Sequence, residues 1–297
     1  MSKRSIFVQQ HSYSAISYTS SDSWIILTRI EQTIKQKIKE RGTPLSEWGV
    51  RINYGIKTGY NEAFIINSAK KEQLISEDPR SAEIIRPILR GRDIRRYGYV
   101  FSDLWVINTH NGVKERGIPR VQVEDYPAIK AHLNQFLTQL SKRADKGDTP
   151  YNLRNCAYMD DFSKPKICWI ELTDESKFSY SDDGIYLLNT VFFMVGDHIK
   201  YLLAVLNSKL IHWYFLSCTG TTSGVGTNRW LKYTVETIPI PRISTHDELE
   251  INALVDTLLS HKQNGKDTTS LEREIDRLVL HAYNLTEEEQ SYIMNVD

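Results

Sequence analysis

Val50-Arg-Ile-Asn-Tyr-Gly55-Ile-Lys-Thr-Gly-Tyr60-Asn-Glu-Ala-Phe-Ile-Ile66 is where the character of the chain changes. Val50–Ile56 and Ala63–Ile66 are short β-type runs, and Lys57 to Asn61 between them is rich in turn formers. Upstream, Asp22 to Arg41 reads as a helix: Leu27, Ile30, Ile34 and Ile38 recur at helical spacing, Asp22 or Ser23 can cap it, and Gly42 with Pro44 stops it. A helix followed at once by strands points to the α+β class. The expected architecture is a mixed β-sheet domain with packed helices, followed by a C-terminal helical segment.

Working outward, a helical piece at Ser81–Ile85 is expected to end near Pro87, and Val100–Asn108 reads as a strand. Asp125 to Leu140 reads as a helix, with Pro127 in its first turn and Ile129, Leu133, Phe136 and Leu140 on one face. Ile167–Leu172 and Ile185–Val195 read as core strands, and Ile199–Phe215 as a buried helix. A Gly/Ser/Thr-rich loop, Thr219 to Asn228, comes next, and Ile238-Pro-Ile-Pro241 must be extended. Beyond it, Thr245/Glu248, Thr269/Glu272 and Thr286/Glu289 have capping-box spacing, and Leu271, Ile275, Leu278 and Ala282 form a seam. The expected division is an N-terminal tail and linker helix (1–43), a recognition body (44–242) and a helical segment (243–297).

Composition narrows the class. Of 297 residues, 40% are hydrophobic and 25% charged, enough for a sizeable core. Lys plus Arg number 37, as do Asp plus Glu, which argues against nonspecific coating of nucleic acid but not against one basic reading face. Cys156, Cys168 and Cys218 have no zinc-ligand spacing, so neither a disulfide framework nor a metal is expected. The N-terminus has no apolar core of a signal peptide. The longest apolar run, Ile199–Phe215, is broken by Asn207, Ser208, Lys209 and His212. No membrane span is expected, and a reducing cytoplasm fits.

No catalytic set stands out. A methyltransferase acting on an exocyclic amine would carry an Asn/Asp-Pro-Pro-Tyr/Phe tetrapeptide, and no Pro-Pro occurs. No glycine-rich loop sits between a strand and a helix, and Gly220 to Thr227 lacks the Gly-Lys-Ser/Thr ending of a phosphate loop. Asp160 or Asp161 with Glu175-Ser-Lys177 could imitate a metal-dependent nuclease, although such strings are common in surface turns. His212, on an apolar helix, reads as a hydrogen-bonded core residue.

Recognition chemistry remains. Arg80, Arg86, Arg90, Arg92, Arg95 and Arg96 face only Glu83 and Asp93, with Tyr97 and Tyr99 following. Arginine offers planar paired donors suited to phosphate and guanine edges, though a solvated helix end with internal ion pairs gives the same pattern. Lys142-Arg143-Ala-Asp-Lys146 leads through Tyr151 to Arg154, and Ser223 to Lys232 carries Asn228 and Arg229. Loops on a rigid scaffold are where base-reading side chains usually sit.

At this point a resemblance enters. Gly55-Ile-Lys-Thr-Gly59 with Asn61-Glu-Ala-Phe64, Ile85-Arg-Pro-Ile-Leu-Arg90-Gly-Arg92-Asp-Ile-Arg-Arg-Tyr97, Tyr126-Pro-Ala-Ile-Lys130, Tyr151-Asn-Leu-Arg154, Lys164-Pro-Lys166, Leu206-Asn-Ser-Lys209 and Ile238-Pro-Ile-Pro241 occur in this order. The set resembles the TaqI-like C-terminal specificity domain of adenine-specific DNA methyltransferases and fused restriction–modification enzymes of bacteria. The resemblance implies a module that clamps double-stranded DNA and reads its sequence while an adenine-specific methyltransferase domain or subunit, binding S-adenosylmethionine, flips and methylates adenine. The module itself would hold no cofactor and no catalytic residue. Lys57, Thr58, Arg90, Arg92, Arg154, Asn228 and Arg229 are the expected DNA contacts, with Lys57 and Arg90 on phosphate. Two other classes stay open: a metal-dependent nuclease using Asp161, Glu175 and Lys177, and a protein-interaction module that never touches DNA.

Overall fold

The computed structural model describes residues 27–218 and 229–296. Helix α1 (Arg29–Arg41) starts after Thr28, whose side chain accepts from the amide of Glu31 while the Glu31 carboxylate accepts from the amide of Thr28. That reciprocal cap sets the helix start; Asp22 and Ser23 lie outside the described residues. The chain continues through β1 (Gly42–Pro44), β2 (Arg51–Tyr54), a single turn α2 (Asn61–Phe64), β3 (Ile65–Ile66), α3 (Ser68–Glu77) and β4 (Ile85–Leu89). The hairpin β5 (Ile94–Arg95) and β6 (Gly98–Tyr99) follows, then β7 (Trp105–Ile107), α4 (Pro127–Asn134) and α5 (Leu137–Lys142). Next come β8 (Lys166–Ile170), β9 (Ser179–Ser181), β10 (Tyr186–Leu187), β11 (Val191–Val195), α6 (Ile199–Asn207) and α7 (Lys209–Cys218). The short α8 (Lys232–Val235), β12 (Pro239–Pro241), α9 (Thr245–Gln263), α10 (Thr269–Ala282) and α11 (Glu287–Asn295) end the order.

The α+β reading holds, but several long elements are broken. Pro87 does not stop a helix; it sits within β4, after a 3-10 turn at Pro79–Glu83. Phe136 interrupts the expected Asp125–Leu140 helix, giving α4 and α5. Ile185–Val195 is split because residues 188–190 carry the chain from one sheet into another. Ser208 ends α6, its hydroxyl bonding the carbonyl of Val205 and accepting from Ile211, so Ile199–Phe215 is two helices. The C-terminal part holds three helices. Thr286 makes the capping box foreseen for α11, whereas Ser244 caps α9.

The central sheet has the order β2-β11-β8-β9, antiparallel throughout, and its inner strands β11 and β8 are buried on both faces. Strand periodicity sorts its side chains into two cores. Phe192 and Met194 of β11, with Ile167 and Trp169 of β8, face a helical layer of α1, α6, α7 and the C-terminal helices. Val191, Phe193 and Val195, with Cys168, face a second sheet of order β10-β4-β7-β3 and helices α4 and α5. The two ends of the described chain meet in the helical layer: Lys37 of α1 pairs with Glu289 of α11 at 2.6 Å, and the Tyr292 hydroxyl donates to Glu31 at 2.7 Å. Among the described residues no helix is long and apolar enough to cross a membrane.

Candidate nucleic-acid interface

Three chain segments leave the sheets side by side. Leu187 of β10 lies opposite Leu89 of β4 in parallel, and the amide of Leu188 donates to Leu89 at 2.9 Å. On its other flank the same segment meets Gly55-Ile56, with Ile56 donating to Leu187 at 2.6 Å and Asn189 donating to Ile56 at 3.0 Å. Gly55 is required by this closeness, because a Cβ there would collide with the carbonyls of Leu187 and Leu188. The amide of Gly91 donates to the Thr190 hydroxyl at 3.2 Å, which pins the third segment. Lys57, Asn189-Thr190 and Arg92 therefore emerge at one end of the fold.

The central sheet brings a fourth segment to that end. Tyr54, Phe192 and Trp169 lie in one register, so β8 finishes beside the exit of β2 and the start of β11. Leu172, just beyond it, bridges Arg229. Signals far apart in sequence thus converge through register.

Lys57 and Arg154 are joined by a shared carboxylate. Asp145 accepts Lys57 Nζ at 2.9 Å and Arg154 Nη1 at 3.3 Å, and the Lys57 ammonium holds its carboxyl below the usual range. Both cations remain half-exposed, so the pairs lie at the surface and are cheap to exchange. Beneath them sits Arg143, 7% exposed. Its guanidinium donates to the carbonyls of Thr58, Asp145, Pro150 and Asn152 and covers the ring of Phe64 at 4.6 Å. Burial lowers its pKa to about 10, which still leaves it charged at neutral pH. Sequence reading counted Arg143 as part of a basic surface stretch; it is an internal tie.

Other expected contacts are occupied within the fold. Thr58 is buried and its hydroxyl donates to Asn61 at 2.5 Å. Arg90 forms a fork with Asp93, at 3.1 Å from Nε and 3.0 Å from Nη2. The arginine cluster disperses in the same way: Arg80 pairs with Asp78, Arg86 and Arg95 bond backbone carbonyls, and Arg96 reaches Glu272 and the carbonyl of Asn207. Arg92 is exposed, and among the described residues no ion pair holds it. Arg229 pairs with Glu171 at the surface, and Asn228 lies outside the described residues.

The nuclease pattern is not assembled. Asp161 is buried and accepts from Arg51 at 2.8 Å, Asn53 at 2.9 Å and Lys164 at 2.8 Å. Burial opposes its ionisation, but these bonds outweigh it and hold the carboxyl below its ordinary value. Glu175 pairs with Lys177 at the surface, 3.4 Å apart. Among the described residues no three His, Cys, Asp or Glu side chains converge as a metal site. His212 behaves as read, its Nδ1 accepting from the amide of Ser176 at 3.3 Å.

Next to Lys57 and Arg154 opens a cleft of about 610 Å³. Tyr54, Tyr158, His110, Asn155 and Asn189 help line it, and Lys57 and Arg154 are the charged residues on its wall. Tyr54 is 48% exposed and rests on Phe192, with ring centroids 4.7 Å apart. Sequence reading gave no signal for Tyr54 or His110, since each is a single residue brought there by strand register and loop packing.

The family model of the TaqI-like C-terminal specificity domain matches residues 86–240, just over half of the 297. The chain belongs to this family. It is similar to the type II methyltransferase M.MjaIV of Methanocaldococcus jannaschii, 25% identical over 277 residues, which covers 89% of this chain and 90% of that protein. It is also similar to the type II methyltransferase M.BanIII of Aneurinibacillus aneurinilyticus, 22% identical over 252 residues, covering 79% of this chain but 42% of that one. Among solved structures, the type IIL restriction–modification enzyme MmeI in complex with DNA superposes with a TM-score of 0.62 at 12% identity, over 86% of this chain and 37% of that enzyme. The last likeness concerns the fold. As a TaqI-like specificity domain, the chain is a DNA-recognition module of the restriction–modification type.

Proposed function

We propose that the end of the central sheet carrying Lys57, Arg92, Arg154 and Arg229 is the surface that reads double-stranded DNA, for an adenine-N6 methyltransferase whose catalytic domain lies outside this sequence. The observation that carries the reading is the convergence itself. Four cations from four sequence-distant segments stand at one rim, where most other arginines of the fold are spent on internal bonds. A rim of exposed and half-exposed cations in the segments flanking the strands suits phosphate contacts that fix register, while the exposed side chain of neighbouring Asn189 can address base edges. On this reading the chain positions DNA in the cytoplasm, and S-adenosylmethionine is bound by the methyltransferase partner. The locked carboxylate of Asp161 disfavours the nuclease alternative.

The test is binding of duplex DNA over a series of salt concentrations, with and without the methyltransferase partner. Wild-type protein should bind with a steep salt dependence, strengthened by the partner. Lys57→Ala with Arg154→Ala should lower the slope of log K against log salt by about two units. An unchanged slope would remove this rim from the interface, and a protein indifferent to duplex DNA even with its partner would end the reading.

A further inference from the structure

Pairing continues past the end of β8. Leu172 and Arg229 form an antiparallel bridge, and the amide of Trp230 donates to the Glu171 carbonyl at 2.7 Å. The Trp230 indole donates to the Thr173 carbonyl at 3.1 Å, and the Trp169 indole to the Trp230 carbonyl at 2.9 Å. Residues 171–173 and 229–230 thus form a short two-stranded ribbon, fastened to the sheet by two buried tryptophans.

Opposite residues of an antiparallel pair point to the same face, with Cβ atoms about 5 Å apart. Leu172 and Arg229 therefore stand side by side on the ribbon. Glu171 accepts from Arg229 Nε at 2.9 Å and from Nη2, which leaves the Nη1 end of the guanidinium without a partner among the described residues. Leu172 is 54% exposed on this pinned backbone. Of the large apolar side chains described, only Tyr233 and Leu249 are more exposed, and Tyr233 lies close enough to Arg229 to act on its charge. A leucine exposed alone needs no explanation. One held rigidly beside a half-exposed cation, at the rim where the other cations gather, suits a ligand that is apolar and anionic within a few ångströms.

Double-stranded DNA offers that combination at one kind of place. The major groove admits a two-stranded ribbon, its one methyl group is the 5-methyl of thymine, and phosphates line its walls. We propose that Leu172 reads a thymine by packing on its 5-methyl group in the major groove, while Arg229 beside it anchors the ribbon on an adjoining phosphate. The proposal rests on the reading of this rim as the DNA-binding surface. It adds a specificity-determining residue of a different kind from the cations, which position the duplex without distinguishing its bases.

A single methyl group tests it. Sites are selected from a randomised duplex pool with the full chain and its methyltransferase partner, and each thymine of the enriched site is then replaced by deoxyuridine, which lacks only that methyl. One replacement should weaken wild-type binding about three- to fourfold, the worth of one buried methyl group. Leu172→Ala should melt with the wild type, bind the thymine and uracil forms of that position equally, and keep its salt slope. Leu172→Val should retain part of the discrimination. Arg229→Ala should do the converse, losing about one unit of salt slope and keeping the discrimination. The proposal is overturned, with the rim reading intact, if the enriched site holds no sensitive thymine, if the sensitivity persists in Leu172→Ala, or if Tyr233→Ala erases it instead. Equal weakening of every duplex by Leu172→Ala would likewise overturn it, making the leucine a contact that reads no base. A pool from which no site is enriched, bound without salt dependence, would remove the rim reading as well.

Discussion

Arg143 donates through Nη1 to the carbonyl of Thr58, 85 residues away in sequence, from a position that is nearly solvent-free. The same guanidinium reaches the carbonyls of Asp145, Pro150 and Asn152, so one side chain fastens the turn carrying Lys57 to the loops carrying Asp145 and Arg154. Lysine has one nitrogen and cannot span four carbonyls as the fork does. Arg143→Met would strand these acceptors, each costing about 1–3 kcal/mol when buried without a partner. Urea unfolding should show a loss of about 3 kcal/mol or more for Arg143→Met and a smaller loss for Arg143→Lys. DNA affinity should fall in both, because Lys57 and Arg154 lose their common support. A variant as stable as wild type would show that the carbonyls find other donors.

How far this arrangement was legible in the sequence depends on period and register. Fold class followed from local pattern, since α1, β8, β11 and the C-terminal helices carry apolar residues at their own spacings. Breaks inside long apolar stretches were illegible, because Phe136 and Leu188 are as apolar as their neighbours and only tertiary packing ends an element there. At the candidate interface, Lys57 and Arg154 could be named as basic loop residues, yet their union through Asp145 could not. Basic residues at sequence level do not declare whether a carbonyl or a phosphate awaits them; Arg90, Arg96 and Arg143 turn inward for that reason.

Arg90 and Arg92 therefore part company. Arg90 is bound in a fork to a carboxylate that also accepts from the Ser102 hydroxyl at 2.7 Å and the amide of Arg90 at 2.8 Å. Removing it leaves buried Asp93 underpaired, which costs about 2–4 kcal/mol. Arg90→Ala should lower the melting temperature and change DNA affinity only through folding. Arg92→Ala should leave the melting temperature within about a degree and reduce the salt slope of duplex binding by about one unit. The reverse pattern would exchange their roles.

Asp161 gives a pH signature. Its folded pKa is depressed, so its stabilisation is fully present above the ordinary carboxylate value and is lost as pH falls through the folded value. Asp161→Asn keeps the shape but removes the charge facing Arg51 and Lys164. At neutral pH the variant should be about 1–3 kcal/mol less stable. Comparing urea unfolding of both proteins from pH 7 down to about pH 3 should show the gap narrowing on the acid side as wild-type Asp161 protonates. A constant gap would mean that packing, not charge, holds this residue. The same protein offers a check on hydrolysis: with plasmid and magnesium, no cleavage dependent on Glu175 is expected, because Asp161 is already neutralised by its neighbours.

The closeness of three parallel segments can be tested at a glycine. Gly55 and Gly98 are both strand-end glycines without left-handed backbone, but their surroundings differ. Around Gly98 a Cβ would meet nothing within 4 Å, whereas at Gly55 it would overlap the backbone of Leu187 and Leu188. Backbone cannot rotate aside as a flexible side chain does, so Gly55→Ala must push residues 187–190 away from the β2 exit. The backbone hydrogen bonds from Ile56 to Leu187 and from Asn189 to Ile56 would lengthen together. Overpacking of this kind costs about 1–3 kcal/mol, with the lost bonds added. Gly98→Ala should be close to neutral. Because Asn189, Thr190 and Arg92 ride on the displaced segments, Gly55→Ala should also weaken duplex binding more than its loss of stability alone accounts for, measured at a temperature where the variant remains folded. If the two alanine variants unfold at the same denaturant concentration, the three segments are not packed as described, and the rim built on them loses its frame.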